Sequence, residues 1–235
     1  MRIAAFFASV ILLLSTCIAK TDHTPDAFDQ REILHNAEYT LENFLTRSDE
    51  RILNNLIVQA KALVIFPDLV KASIIAGSRY GRGIVVVRSK DNRKWRQPAF
   101  VKSLQISWGL QAGIEHAELV LIVVSLRGVK ALRQTHYNLD IGPEIAHGPV
   151  EKLINFSPQK FLKTKDIYAY SMINKSFTEI SWKGTYIQED EEANKNFYRR
   201  PISHRSLLLS DNINIPQAGI NFMRKLDKIA PPEKR

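Results

Sequence analysis

Apolar residues change their period three times along this chain. An almost unbroken apolar stretch, Ile3 to Leu14, is followed by positions at helical spacing: Ile33, Leu34, Ala37, Leu41, Phe44 and Leu45. Short β-branched runs take over from Ala62, and helical spacing returns with Phe222, Met223, Leu226 and Ile229. Residues recurring at i, i+3, i+4 and i+7 form the buried stripe of a helix, whereas short β-branched runs bounded by turn residues form strands. Thr24-Pro25-Asp26 supplies an N-cap, a first-turn proline and an acid matched to the helix dipole, which predicts a helix to about Thr46. Ser48 with Asp49 and Glu50 opens a second, whose Ile52, Leu53, Leu56, Ile57 and Ala60 share one face.

The predicted strands are Leu63 to Phe66, Ser73 to Ala76, Ile84 to Arg88, Ala99 to Ser107, Ile114 to Val124, Ile167 to Ile173 and Phe177 to Ile187. Turn signals at Asp91-Asn92 and Asn174-Lys175 are short enough to make the flanking strands antiparallel. Ser125 to Arg133 and Asp190 to Tyr198 carry helical spacing or helix-start acids, and Asn214-Ile215-Pro216 leads into the last helix; Asn155 to Thr164 has no assignment. The expected fold is α+β, a mainly antiparallel curved β-sheet with N-terminal and C-terminal helices. Its expected organisation is a signal peptide at 1–19, an amphipathic helix at 20–47, a main domain at 48–200 and a C-terminal helical extension at 201–235.

The first apolar stretch is too short to span a bilayer, which takes roughly 20 residues. With Arg2 before it and Ser15, Thr16, Cys17 and Ala19 after it, it has the order of a secretory signal, so the chain is expected to be exported to the periplasm. Leu14-Ser15-Thr16-Cys17 approximates a lipobox, which makes Cys17 a candidate lipidation site; cleavage after Ala19 is the alternative. Cys17 is the only cysteine, so no internal disulfide can form and the fold rests on its core.

Formal charge is +9, unevenly placed: residues 1–50 hold 4 Lys/Arg against 8 Asp/Glu, leaving 29 against 16 for residues 51–235. A basic exported body suits anionic lipid headgroups or acidic partners, and export argues against nucleic acid. Two basic segments stand out. Gly77-Ser78-Arg79-Tyr80-Gly81-Arg82-Gly83 reads as a loop whose backbone N–H groups, with Arg79 and Arg82, suit an anion, or as a tight strand connection with exposed arginines. It lacks the Gly-Lys-Ser/Thr ending of a nucleotide loop. Arg93-Lys94-Trp95-Arg96 beside the Asp91-Asn92 turn reads as a membrane-touching tip, unless Trp95 folds back onto the sheet. Arg224, Lys225 and Lys228 flank the apolar face of the last helix, as on an interfacial helix or a helix packed on a sheet.

Catalytic chemistry has little support. The six histidines form no metal-ligand pair, His116 between Glu115 and Glu118 fits a solvated strand edge, and no Gly-x-Ser-x-Gly elbow occurs. No metal, cofactor or catalytic residue is expected. A lipid-modifying hydrolase would need His and Asp/Glu to assemble in a buried pocket.

In this order the chain carries Gln59-Ala60-Lys61-Ala62-Leu63-Val64-Ile65-Phe66-Pro67, Gly77 to Arg88, Trp95-Arg96-Gln97-Pro98-Ala99-Phe100 and Ser107-Trp108-Gly109-Leu110-Gln111-Ala112-Gly113. Tyr168-Ala169-Tyr170-Ser171 and Glu192-Ala193-Asn194-Lys195-Asn196-Phe197-Tyr198 follow. Over roughly Ile52 to Tyr198 the chain resembles the SYLF domain, a lipid-binding family. The resemblance implies a non-enzymatic phospholipid-binding module, with phosphoinositide preference and actin association described for eukaryotic members. For an exported chain it implies anionic phospholipid in general; the alternative reading is a structural or protein-interaction module of the envelope, whose sheet binds another protein and whose charge is incidental. Departures are Glu151-Lys152 after Gly-Pro-Val, the glycine-poor stretch around Lys175, Ser176 and Glu179, Lys183-Gly184 in place of Glu-Gly, and an acidic rather than basic first helix. The expected lipid-binding residues are Arg79, Arg82, Arg93, Lys94, Trp95 and Arg96.

Overall fold

Helical spacing becomes helix where it was expected. The computed structural model describes residues 27–47, 50–73, 76–89, 91, 93–108, 113–139, 142–147, 165–178, 180 and 184–231. Helices α1 (Ala27–Arg47) and α2 (Glu50–Gln59) precede the sheet, and α3 (Leu126–Leu132), α4 (Glu191–Tyr198), α5 (His204–Leu209) and α6 (Gln217–Ile229) follow or interrupt it. The expected signal segment with Cys17, the start signals at Thr24 to Asp26 and Ser48-Asp49, and Asn155 to Thr164 lie outside the described residues. Ser125 caps α3 by accepting from the Gly128 N–H, and Asp190 caps α4 by accepting from the Ala193 N–H.

Among the described residues nine strands form one sheet: β1 (Ala62–Ser73), β2 (Ala76–Val87), β3 (Ala99–Trp108), β4 (Gly113–Val123), β5 (His136–Asn138), β6 (Ile145–His147), β7 (Ile167–Ile173), β8 (Ser176–Phe177) and β9 (Thr185–Glu189). Their order is β5-β9-β3-β2-β1-β4-β7-β6, with β8 hydrogen-bonded to β7. Every pairing is antiparallel except β6 with β7. The sheet curls into a half-barrel. Asn174 and Lys175, both at positive φ, make the tight β7–β8 turn.

Three local expectations are corrected. Ser73 to Ala76 is no strand of its own, because Ser73 ends β1 and Ala76 begins β2. Phe177 to Ile187 is two strands, β8 on β7 and β9 on β3, separated by Gly184 at φ +73°. Gly77 to Gly83 is not a loop but part of β2. The cause lies on its neighbour. β1 skips a residue at Phe66–Asp68 relative to both β2 and β4, a bulge that accommodates Pro67, which has no N–H for a ladder. The bulged backbone presses on β2, so a Cβ on Gly81 would lie 2.2 Å from the Asp68 carbonyl oxygen.

The helices cover the face of the sheet that carries Phe100, where the Phe197 ring of α4 meets it edge-on at 5.0 Å. Phe44 of α1 packs on Phe177, which in turn meets Tyr170. On the opposite face α3 seats Gly128 against Val123 and Ile167. Leu207, Leu208, Phe222 and Leu226 of α5 and α6 are buried in the same core.

His204 gives this packing a pH signature. Its buried Nε2–H donates to the Leu132 carbonyl at 2.7 Å, while Nδ1 is buried without a hydrogen-bond partner. Burial holds the imidazole below its ordinary range. Below about pH 6.5 the unfolded chain gains a proton that the folded chain resists, so stability is full above that value and falls as pH drops, by at most about 1.4 kcal/mol per unit. His204→Gln should flatten the loss between pH 7.5 and 5.5 in urea midpoints; an identical loss in both proteins would contradict this origin.

Candidate functional site

The six basic and aromatic candidates separate into two groups and two environments. Arg79 and Arg82 lie on β2, and their three-residue spacing points them to opposite faces. Arg79 turns inward, only 6% exposed, with Nη2 2.5 Å from Glu115 Oε1 and Nη1 donating to Gln105. Arg82 is half-buried, its Nε 3.4 Å from the carboxylate of Asp190, which also faces Lys102 Nζ at 3.3 Å. About 30 Å of extended strand separates Arg79 from Arg88, where the second group begins.

In that group Trp95 folds back. It is 4% exposed, its Nε1–H donates to the Ala230 carbonyl at 3.0 Å, and the Arg88 guanidinium sits 4.0 Å from its ring centroid. Arg96 is equally buried, with Nε 2.6 Å from Asp211 Oδ1 and Nη1 donating to the Leu208 carbonyl. Arg93 and Lys94 are exposed. The five cations therefore do not share one face, and of the six candidates the structure leaves Arg93 and Lys94 at the surface.

One residue of this corner drew no attention in the sequence. Arg88 is buried, donates through Nε to the Ala60 carbonyl and through Nη2 to the carbonyls of Ala230 and Pro231. Burial lowers its pKa to about 10. Arg88 and Trp95 thus clasp the end of α6, the helix that carries exposed Lys228, to the connection that carries exposed Arg93 and Lys94. An arginine closing the apolar run Ile84 to Val87 was the available signal; its partners Ala230 and Pro231 lie more than 140 residues away.

His116 is exposed, as expected of a strand edge, but not isolated: its Nδ1 lies 2.9 Å from Asp68 Oδ1. Glu118 shares its face, accepts from Thr40, and is held above the ordinary carboxylate range by burial. Glu115 points the other way, to Arg79. Among the described residues no group of three His, Cys, Asp or Glu side chains is placed to hold a metal ion, and no helix is long and apolar enough to cross a membrane.

These features define a curled antiparallel sheet roofed by helices, with a basic corner where the β2–β3 connection meets α6. The family described as "Ysc84: Las17-binding protein actin regulator" matches residues 104–229. The chain belongs to this Ysc84/SYLF family. It is 30% identical over 173 residues to the human SH3 domain-containing YSC84-like protein 1, covering 72% of this chain and 49% of that protein. Protein YSC84 of Saccharomyces cerevisiae is 26% identical over 185 residues, 78% of this chain and 39% of that protein. LAS seventeen-binding protein 3 of the same yeast is 26% identical over 196 residues, 83% and 42%. The chain thus spans about half or less of the length of these relatives. No solved structure matches it significantly. The relatives' names describe SH3-domain or binding proteins, none an enzyme.

Proposed function

We propose that this chain is a non-enzymatic module that attaches to anionic phospholipid surfaces, exported to the periplasm by its leader. The observation that carries this is the Trp95–Ala230 hydrogen bond, which ties the connection bearing exposed Arg93 and Lys94 to the end of the helix bearing exposed Lys228, over 130 residues away in sequence. Rigid clustering matters because each cation near an anionic surface contributes about 1 kcal/mol, and only charges within a Debye length, about 10 Å at 0.1 M salt, act together. The basic balance of residues 51–235 supports the same sign of partner. Arg79, Arg82, Trp95 and Arg96 serve this function by holding the frame.

Co-sedimentation with phosphatidylglycerol-containing and pure phosphatidylcholine vesicles tests it. Binding should require the anionic lipid and weaken at least tenfold between 50 and 500 mM salt, on the order set by this screening; equal binding to both vesicles would refute it. The names of the relatives, one of them "LAS seventeen-binding", favour a second reading in which the sheet engages an envelope protein. Capture of one such partner by delipidated protein would support that alternative. Mass spectrometry of the native N-terminus decides whether Cys17 adds a covalent anchor.

A further inference from the structure

Antiparallel register carries one row of positions across four ladders, His116 on β4, Val70 on β1, Tyr80 on β2, Leu104 on β3 and Tyr186 on β9. Strand alternation places this row on the face that carries Phe100, the face the helices roof elsewhere. The helices stop short of it: Tyr80 is 45% exposed, Leu104 38% and Tyr186 45%. These are three of the five exposed large apolar side chains among the described residues, so they are a patch and not scatter. The row is one residue wide, far narrower than the roughly 800 Å² per partner of a stable protein interface. It spans four interstrand steps, about 19 Å, slightly more than the roughly 15 Å depth of one leaflet's hydrocarbon.

At its β4 end the row opens on a cleft of about 310 Å³ lined by Asp68, His116, Glu118, Met172, Asn174 and Lys175. That volume is at the small end for ligand sites and fits a headgroup, not a whole lipid. The turn bearing Asn174 and Lys175 is tied down by the Arg47 guanidinium, which donates to the Lys175 carbonyl at 3.5 Å. Two carboxylates thus face a lysine, a carboxamide and an imidazole across one small space. A lone anion meets Asp68 and Glu118 there, and a lone cation meets Lys175; a molecule carrying both charges a few atoms apart satisfies both sides.

We propose that row and cleft form one site for a single zwitterionic amphiphile, with an aminoalkyl phosphate in the cleft and an acyl chain along Val70, Tyr80, Leu104 and Tyr186. Its ammonium pairs with Asp68 and Glu118, and its phosphate with Lys175 and Asn174. This rests on the membrane-binding function above for the source of the amphiphile, but uses a different surface.

The test titrates the full chain with phosphoethanolamine, lysophosphatidylethanolamine below its micelle concentration, and lysophosphatidylglycerol of the same chain length. Lysophosphatidylethanolamine should bind at least tenfold more tightly than either. Tyr80→Ser/Leu104→Ser/Tyr186→Ser, at exposed positions, should reduce it to the level of the headgroup alone, and Asp68→Asn/Glu118→Gln should weaken both ethanolamine ligands about tenfold, with circular dichroism confirming the fold. Equal binding of the two lysolipids, equal binding of phosphoethanolamine with and without the acyl chain, or undiminished binding in both variants would overturn the site. Wild-type binding to anionic vesicles without lysophosphatidylethanolamine binding overturns this inference and leaves the basic corner standing.

Discussion

Gly83→Ala is expected to lower the melting temperature by roughly 10 °C or prevent folding, a large effect for one methyl group. A Cβ at Gly83 would lie 2.3 Å from the Ile65 carbonyl oxygen and 2.6 Å from Phe66 Cδ1. Neither neighbour can yield easily. Ile65 and Phe66 are fully buried in β1, which is paired on both sides. Overpacking of a fixed core typically costs 1–3 kcal/mol, and contact with backbone puts this site at or above the top of that range, about 3 kcal/mol. For a domain of this size each kcal/mol lowers the midpoint by about 2–4 °C. Calorimetry of the purified variant checks this; a change below 2 °C would mean that β1 is free to move.

Arg88→Met should cost about 2–3 kcal/mol and, unlike the glycine change, should act on function through position. The substitution removes donors to three backbone carbonyls and the cation over Trp95, and hydrogen bonds to charged groups contribute about 1.5–3 kcal/mol each before desolvation is offset. Burial already lowers the Arg88 pKa to about 10, so part of the gain is spent on desolvation and the sum of three bonds is not reached. The end of α6 should loosen, visible as faster amide exchange over residues 222–230. Anionic vesicle binding should fall severalfold although no exposed cation is lost. Lysine at 88 should restore little of it, because one ammonium cannot span Ala60, Ala230 and Pro231 as a planar guanidinium does. Full-strength vesicle binding by Arg88→Met with a frayed α6 would separate the corner from the function.

The local devices of this fold were legible because their causes are local. Asp190 followed by acids announces α4, Ser125 announces α3, and Asn174-Lys175 announces the β7–β8 turn, each through hydrogen bonds or φ angles within a few residues. The glycine-rich stretch misled for the converse reason. Gly81 and Gly83 look like turn residues, yet they are required by a bulge on another strand around Pro67, which no property of residues 77–83 discloses. Exposure failed in the same way. Trp95 and Arg96 belong to a basic tip by sequence, but their partners Ala230 and Asp211 lie 135 and 115 residues on. Tyr80, Leu104 and Tyr186 become neighbours only through register, which flips with a one-residue slip.

The most direct test of membrane attachment through the corner compares two charge reversals of equal size in the anionic vesicle assay. One is Arg93→Glu/Lys94→Glu/Lys228→Glu; the other is Arg199→Glu/Arg200→Glu/Arg205→Glu, exposed arginines around the start of α5. Both change net charge by the same amount. The first should weaken binding by more than tenfold, on the order of about 1 kcal/mol per cation, and the second by no more than about threefold. Equal losses would show that overall charge, and not the corner built on Arg88 and Trp95, attracts the chain to the membrane.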